Sequence, residues 1–335
     1  MPDLKDKKIL YELSKNCRLP TSQIAKRVGL SQQVVDYRMQ RLIKNNMITD
    51  FIAEVNLEKL GYHRHILYLQ LKNVDEKNEK EILNSLIHHP FLTWITTSTG
   101  KWSIILDVIA KDLVHASHIV EEIKSKYGHF LGETKIISQL SYHYFHSKYY
   151  DFPGHSDQRI YKKQKKRTKE LSWDSLDLKL LSLLCNNAKL SFVQLSPLLH
   201  LTPNAIKNRL KKMIDQEVIK NFTIAPDKTK LGYEQYNVQF TFEQTNKEKE
   251  QRLIHYLHTH PNINFYYKPL GPWDLEVGIF VRNPGELRKI LLEMRTSFPD
   301  LIKIYDTVLF YEEPKSNRVP EGVFAEARSI SSTKS

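Results

Sequence analysis

The sequence predicts an α+β fold: two copies of a winged helix-turn-helix domain, each followed by a ferredoxin-like βαββαβ domain. The first observation is an internal repeat, because a shift that carries residue 3 to residue 174 aligns 3–62 with 174–233 without a gap. The second is a change from helical to alternating hydrophobic spacing within each copy. Solenoid repeats are only about 20–50 residues long, so this repeat is a duplicated module.

The matching residues extend through both parts of the module. They include an acidic pair, a leucine-glycine-tyrosine triplet and a later tryptophan, which stand at Asp3 and Asp6, Leu60-Gly61-Tyr62 and Trp102, and again at Asp174 and Asp177, Leu231-Gly232-Tyr233 and Trp273.

Three helices are expected at the start of each copy, in domains at 1–56 and 173–227. In the first copy, apolar residues recur at helical spacing up to a polar break at 16–20. Thr21 is expected to cap the second helix and Gly29 to end it in the left-handed conformation. Ser31 is expected to cap the third helix. A weakly alternating segment at 48–55 then predicts a small β-wing or connection.

The second copy departs from this pattern at two places. His200 stands where the first copy has Gly29, and Pro197 falls inside the expected second helix, where proline removes a hydrogen bond. The second helix there is therefore expected either to be kinked or to start late, with Ser196 as its cap. A three-helix bundle without any nucleic-acid role is the alternative interpretation of these segments.

Alternating strands and two helices follow in the order βαββαβ, which is the ferredoxin-like arrangement. These domains are expected at 60–147 and 231–313. Between the copies, 148–172 carries a run of lysines and arginines that is typical of a solvated basic linker. The polar segment 314–335 is expected to be a disordered tail.

Composition bounds the function classes. The formal charge of +12 favours phosphate-bearing partners, with nucleic acid ahead of membrane. No apolar run is long enough to span a membrane and the charged start lacks a signal core, so we expect a cytoplasmic protein. Cys17 and Cys185 have no CxxC partner, and no phosphate loop or HExxH motif occurs. We expect no metal and no cofactor.

The motifs together resemble the Lrp/AsnC family, the leucine-responsive and asparagine-synthetase regulators. The resemblance is carried by D-x-x-D-x-x-I-L from Asp3, N-x-R from Asn16, Gly29-Leu30-Ser31, Leu60-Gly61 and Gly271-Pro272-Trp273-Asp274. It covers nearly the whole chain, twice. It implies a transcription regulator, not an enzyme, whose third helix enters the major groove of double-stranded DNA. It also implies regulatory βαββαβ domains that pair in dimers.

The third helices supply the predicted DNA-binding residues. Glutamine and asparagine can pair with adenine, and residues near a helix start reach base edges. The predicted set is Ser31, Gln32, Gln33, Asp36, Tyr37, Arg38 and Arg41 in the first copy, and Thr202, Asn204, Lys207, Asn208, Arg209 and Lys211 in the second. Arg38, Arg41 and Lys44 are expected near phosphates. Arg38 and Arg209 have an alternative role, since either could pair with the acidic residues of the first helix.

The resemblance also implies an amino acid or similar effector at the βαββαβ domains. The residues expected near it are Gly100, Trp102, Gly271, Trp273 and Asp274. The first copy has Ser103 where the second has Asp274, which points to a changed effector or none. Packing in the core or an interface is the alternative role for both tryptophans.

The sequence leaves two other functions and two modes of pairing open. Sirohaem decarboxylases resemble the same family and work as pairs of related subunits, so a tetrapyrrole enzyme is one alternative. A scaffold that no longer binds DNA is the other. The two copies of one chain could pair as an intrachain pseudo-dimer, or two chains could pair as a homodimer.

Overall fold

The computed structural model describes residues 2–145, 148–150, 173–243, 246–316 and 319–325. They form two compact units, and each unit takes residues from both copies. We call the unit that holds 2–62 and 173–227 the helix-turn-helix unit, and the unit that holds 63–150 and 228–316 the sheet unit. The predicted linker residues 151–172 and the end of the predicted tail lie outside the described residues.

The first copy begins with the three expected helices and a strand, α1 Leu4–Lys15, α2 Thr21–Val28, α3 Gln32–Lys44 and β1 Ile48–Val55. A reciprocal capping box between Asp3 and Asp6 starts α1. The prediction for α2 was wrong in one detail: Pro20 is the N-cap and Thr21 is already helical, with no side-chain cap. Gly29 ends α2 with φ 67°, and Ser31 caps α3 as predicted.

The same copy continues in the predicted order βαββαβ. The elements are β2 His63–Leu71, α4 Glu76–Ile87, β3 Leu92–Thr97, β4 Ile104–Ala110, α5 Leu113–Tyr127 and β5 Leu131–Tyr144.

The second copy repeats this order. Its elements are α6 Ser175–Asn186, α7 Phe192–Leu199, α8 Pro203–Asp215, β6 Ile219–Pro226, β7 Glu234–Phe242, α9 Lys247–Thr259, β8 Ile263–Leu270, β9 Leu275–Val281, α10 Pro284–Ser297, β10 Ile302–Phe310 and the two-residue β11 Lys315–Ser316. A capping box at Ser191 starts α7, so the alternative of a late start at Ser196 was wrong. Pro197 lies in the last turn of α7, and His200 takes the left-handed role of Gly29 with φ 54°.

The predicted linker and tail boundaries need correction. Residues 148–150 form a short 3-10 turn, and the Lys148 amine donates to the carbonyl oxygens of Leu257 (2.8 Å) and His260 (3.0 Å). Residues 315–316 form β11, which pairs with β3, and Val319, Val323 and Phe324 are buried. The backbone of the predicted tail therefore finds partners in the sheet for at least its first residues.

The predicted wing strands pair with each other across the two copies. β1 runs antiparallel to β6, with Ala53 opposite Phe222. Each strand also packs on the first helix of the other copy: the Phe222 carbonyl accepts from the Cys17 amide at 3.0 Å, and the Phe51 carbonyl accepts from the Ala188 amide at 2.9 Å. The core of each helix-turn-helix is thus completed by the other copy.

A nine-stranded antiparallel sheet organises the sheet unit in the order β10-β7-β9-β8-β5-β2-β4-β3-β11. Each copy contributes the ferredoxin-like order of its fourth, first, third and second strands, and β5 joins β8 between the copies. β10 and β11 are the two end strands of this order, yet only four residues of the chain separate them. The two edges of the sheet therefore meet, and the sheet closes on itself. A bridge between Ser98 and Phe310 marks the closure.

Helices cover the outer face of this sheet. Its inner face holds an apolar cluster to which both copies contribute residues. That cluster contains Ile66, Tyr68, Trp102, Ile105, Ile137, Phe265, Tyr267, Trp273, Val308 and Phe310. The pseudo-dimer alternative is therefore the arrangement of the chain. Among the described helices, none is long and apolar enough to cross a membrane.

Candidate nucleic-acid interface

α3 presents a polar face because its apolar residues follow a narrow stripe. Val35, Met39 and Leu42 are buried against the other helices. The predicted residues Gln32, Gln33, Asp36 and Tyr37 are exposed, and Tyr37 keeps 68% of its surface accessible. Val34 is also 40% exposed. The N-terminal half of α3 is therefore available to a partner.

Two predicted arginines of α3 are engaged within the fold. Arg38 Nη1 donates to Asp3 Oδ2 at 2.7 Å and Asp6 Oδ1 at 2.9 Å, and Arg41 Nη2 donates to Asp6 Oδ2 at 2.6 Å. The Arg38 guanidinium lowers the pKa of Asp3, and Asp3 in turn raises the pKa of Arg38. Since Asp6 is buried, these bonds tie α3 to the start of α1.

α8 repeats the same tie. Arg209 Nη1 donates to Asp174 Oδ2 at 2.7 Å and to Asp177 Oδ1 at 2.6 Å. Although burial alone would raise it, the backbone bond from Asp177 and the Arg209 guanidinium hold the pKa of Asp174 below its ordinary value. The structural alternative for Arg38 and Arg209 is therefore the role that the geometry supports.

The remaining predicted residues of α8 face outward. Asn204, Lys207, Asn208 and Lys211 are exposed, and Lys212, also exposed, lies 3.7 Å from Asp177. Pro203 occupies the first turn, where its missing amide costs nothing.

The hydroxyls predicted to contact DNA have a local role in both copies. Ser31 Oγ accepts from the Val34 amide at 3.3 Å, and Thr202 Oγ1 accepts from the Ala205 amide at 3.2 Å. Each therefore caps its helix. Both residues are exposed, so each hydroxyl can still donate its proton to an outside acceptor.

The predicted effector residues separate into core and loop. Trp102 and Trp273 are buried on either side of Tyr68, with ring centroids 5.5 and 5.3 Å from it. Asp274 accepts from the Phe242 amide at 2.7 Å. Only Gly100 and Gly271 are exposed. The packing alternative for both tryptophans is what the structure describes.

The sheet unit contains a buried polar network that was not predicted from the sequence. Glu276 Oε2 accepts from the Tyr68 hydroxyl at 2.7 Å, and its Oε1 accepts from Asn237 Nδ2 at 2.6 Å. Burial raises the pKa of this carboxyl. The available signal was a glutamate inside the apolar run Leu275–Val281, where the first copy has Ile105.

Among the described residues, no set of three histidine, cysteine, aspartate or glutamate side chains is arranged to hold a metal ion. Burial raises the pKa of the Cys17 thiol to about 12, so this sulfur is not a thiolate at neutral pH.

Family comparisons match both helix-turn-helix segments. Residues 2–49 match the winged helix-turn-helix DNA-binding family, and residues 174–214 match the AsnC-type helix-turn-helix domain. The HTH-type transcriptional regulator LrpA of Pyrococcus horikoshii is 31% identical over 138 residues, which are 41% of this chain and 93% of that protein. LrpB of Bacillus subtilis is 26% identical over 148 residues, covering 42% of this chain and 98% of the relative. Such relatives have the length of about one copy of the repeat.

Solved structures of one other protein match this chain over nearly its whole length. The siroheme decarboxylase NirDL superposes with a TM-score of 0.63 over 98% of this chain and 99% of that one, at 12% sequence identity. At this identity the likeness shows the fold alone.

Proposed function

The chain belongs to the Lrp/AsnC family of helix-turn-helix transcription regulators, and from this premise we propose that α3 and α8 are its DNA-recognition helices. The observation that carries the proposal is the exposure of a polar N-terminal half on both helices, while their apolar stripes and arginines are used inside the fold. Residues in that half reach base edges when such a helix lies in the major groove.

The proposed contacts divide into two kinds. We assign Gln33 and Asn204 to adenine contacts, because their exposed amides offer a donor and an acceptor side by side. Lys44 and Lys211 are exposed farther along each helix and would neutralise phosphates. Arg38, Arg41 and Arg209 are left out of the proposed contact set, since their guanidinium groups hold α1 and α6.

The test is selection of bound DNA from a random pool, followed by affinity measurements on the recovered site. Gln33→Ala should weaken binding by about 1–3 kcal/mol when one base pair is intact and by much less when that pair is changed. Lys211→Ala should weaken binding to all sequences and reduce the slope of log K against log salt by about 1.

Lys124→Ala is the matched control, because Lys124 is an exposed lysine on α5 of the sheet unit. It should leave both the affinity and the salt slope unchanged. Equal behaviour of Gln33→Ala, Lys211→Ala and this control would sink the assignment of α3 and α8.

A tetrapyrrole enzyme is the second candidate, and the whole-chain likeness to NirDL is the observation that favours it. Against it stands the interior of the closed sheet, where Trp102 and Trp273 are buried and each packs on Tyr68. Titration of the protein with iron-uroporphyrin III decides this point. A saturable shift in its visible spectrum, together with no selected DNA motif, would replace the regulator by the enzyme.

The amino-acid effector and the cytoplasmic location stay predictions. With both indoles buried, an effector at the predicted residues would contact the exposed Gly100 and Gly271 rather than the ring faces. Thermal melting in the presence of each amino acid tests this, since a ligand of the folded state raises Tm.

A further inference from the structure

We propose that one chain recognises a non-palindromic DNA site, in which α3 and α8 bind two different half-sites. This inference rests on the proposed function. A homodimer of identical single modules places two identical helices on DNA, and its site mirrors that symmetry. In this chain the two copies that pair are not identical, and the exposed residues of α3 and α8 differ. Both features remove the two-fold symmetry that a homodimer would impose on its DNA site.

The first support is the pairing in the helix-turn-helix unit. β1 pairs with β6 over 48–55 and 219–226, so the copies that share this ladder belong to one chain. The Thr223 hydroxyl also donates to the Ser14 carbonyl at 2.8 Å inside this interface, where both residues are buried. The first copy has Ile52 at the position of Thr223, so this bond has no counterpart in a pairing of two first copies.

The second support lies in the sheet unit. Tyr68 of the first copy donates to Glu276 of the second in a fully buried setting. The repeat places Gln239 at the position of Tyr68 and Ile105 at the position of Glu276. Two first copies would therefore bury the Tyr68 hydroxyl against Ile105, and two second copies would deprive Glu276 of this donor. Buried polar groups without partners are unfavourable, so unlike pairing is preferred.

The third support is the pattern of divergence between α3 and α8. Arg38 and Arg209 are identical, and both hold carboxylates within the fold. The outward positions differ at each step of the helix: Gln33 against Asn204, Asp36 against Lys207, Tyr37 against Asn208, Gln40 against Lys211 and Lys44 against Asp215. The buried frame was kept while the surface that would meet DNA changed.

The chemistry of one pair of positions predicts how the half-sites differ. A carboxylate accepts from the N4 amine of cytosine, whereas a lysine donates to O6 and N7 of guanine. Asp36 therefore favours cytosine at its base pair, and Lys207 favours guanine at the corresponding pair. Over the first four outward positions α3 carries one negative charge, from Asp36, and α8 carries two positive charges, from Lys207 and Lys211. Binding to the α8 half-site should depend more steeply on salt.

The experiment compares sites selected by the full-length protein and by two surface exchanges. N204Q/K207D/N208Y gives α8 the first three of these outward residues of α3, and Q33N/D36K/Y37N does the reverse. All six side chains are exposed, so both variants should keep the wild-type Tm and far-UV spectrum. The wild type should select two unlike half-sites about one helical turn apart, and each exchange should convert its own half-site, giving a near-palindrome.

Each result decides between the possibilities. A palindromic site for the wild type would mean that like copies pair or read alike, and it would overturn the inference while the proposed function stands. Unlike half-sites that neither exchange alters would overturn the assignment of the difference to these residues. Failure to select any motif, with binding lost on modest added salt, would remove the proposed function and the inference with it.

Discussion

Glu276 offers a direct test of the buried network, through the substitution Glu276→Gln. Its carboxyl lies inside the closed sheet, where it accepts from Tyr68 and Asn237. A glutamine has nearly the same shape and can accept from Tyr68 through its oxygen. Rotation of the Asn237 amide would turn its Oδ1, a buried acceptor without a partner, toward the new Nε2 donor. The substitution therefore keeps the packing and removes only the ionisation.

The magnitude follows from linkage. Burial raises the folded-state pKa of Glu276 above its ordinary 4.5. The contribution of the neutral carboxyl is therefore complete below this pH and is lost as the pH rises through the folded-state pKa. Between the ordinary pKa and the folded-state pKa, the wild-type free energy of unfolding therefore falls by about 1.4 kcal/mol for each pH unit. Glu276→Gln should thus match the wild type near pH 4.5 and exceed it by up to about 2.7 kcal/mol at pH 6.5.

Urea denaturation at the two pH values measures this difference. Glu81→Gln, at an exposed glutamate on α4, is the control and should show no such pH-dependent gain. Should Glu276→Gln instead be less stable than the wild type by about 1 kcal/mol or more at pH 6.5, an ionised carboxylate would be stabilising the interior. The reasoning from burial would then be wrong.

Three further substitutions test other parts of the fold. Arg209→Ala should lower the free energy of unfolding by about 1–2 kcal/mol. The value is small because Arg209 is partly exposed and Lys212 remains near Asp177. An altered salt slope for DNA binding would argue for a phosphate contact instead. His200→Gly should stabilise the protein by about 1 kcal/mol in thermal melts, because it relieves a left-handed backbone at φ 54°, and an unchanged Tm would contradict this. Gly278→Ala should destabilise by about 1–3 kcal/mol, since its Cβ would lie 2.1 Å from the Phe265 ring; calorimetry showing no loss would mean that the ring moves freely.

The elements of this fold could be predicted because each depends on nearby residues. The capping serine Ser31 and the left-handed Gly29 are local signals, and the helix start and helix end that they predict lie where expected. The alternation in 65–71 predicts a strand in the same way, and β2 contains it. The partner of β1 could not be predicted, because alternation marks a strand without stating what pairs with it. The ordered start of the tail was missed for the same reason, since β3 supplies its hydrogen bonds from more than 200 residues away.

The candidate site shows the same division. Exposure of Gln33 and Tyr37 followed from helical spacing. Whether Arg38 faced phosphate or a carboxylate did not, since Asp3 and Asp6 lie 35 and 32 residues away in the chain. The sequence shows the glycine-tryptophan motif in both copies and leaves effector contact and packing as alternative roles for Trp102 and Trp273. Their burial depended on Tyr68 and on closure of the sheet, which no local pattern reports.

The pairing of β1 with β6 has a consequence for biosynthesis. While the first copy emerges from the ribosome, α1 and β1 lack the strand that completes their core, because 219–226 has yet to be made. Long-range pairing of this kind forms slowly and leaves apolar surface open during synthesis. A message cut short after the first copy would therefore yield an open, aggregation-prone chain rather than a working half. Because β1 and β6 pair across the duplication, each copy needs the other copy of the same chain to complete its fold.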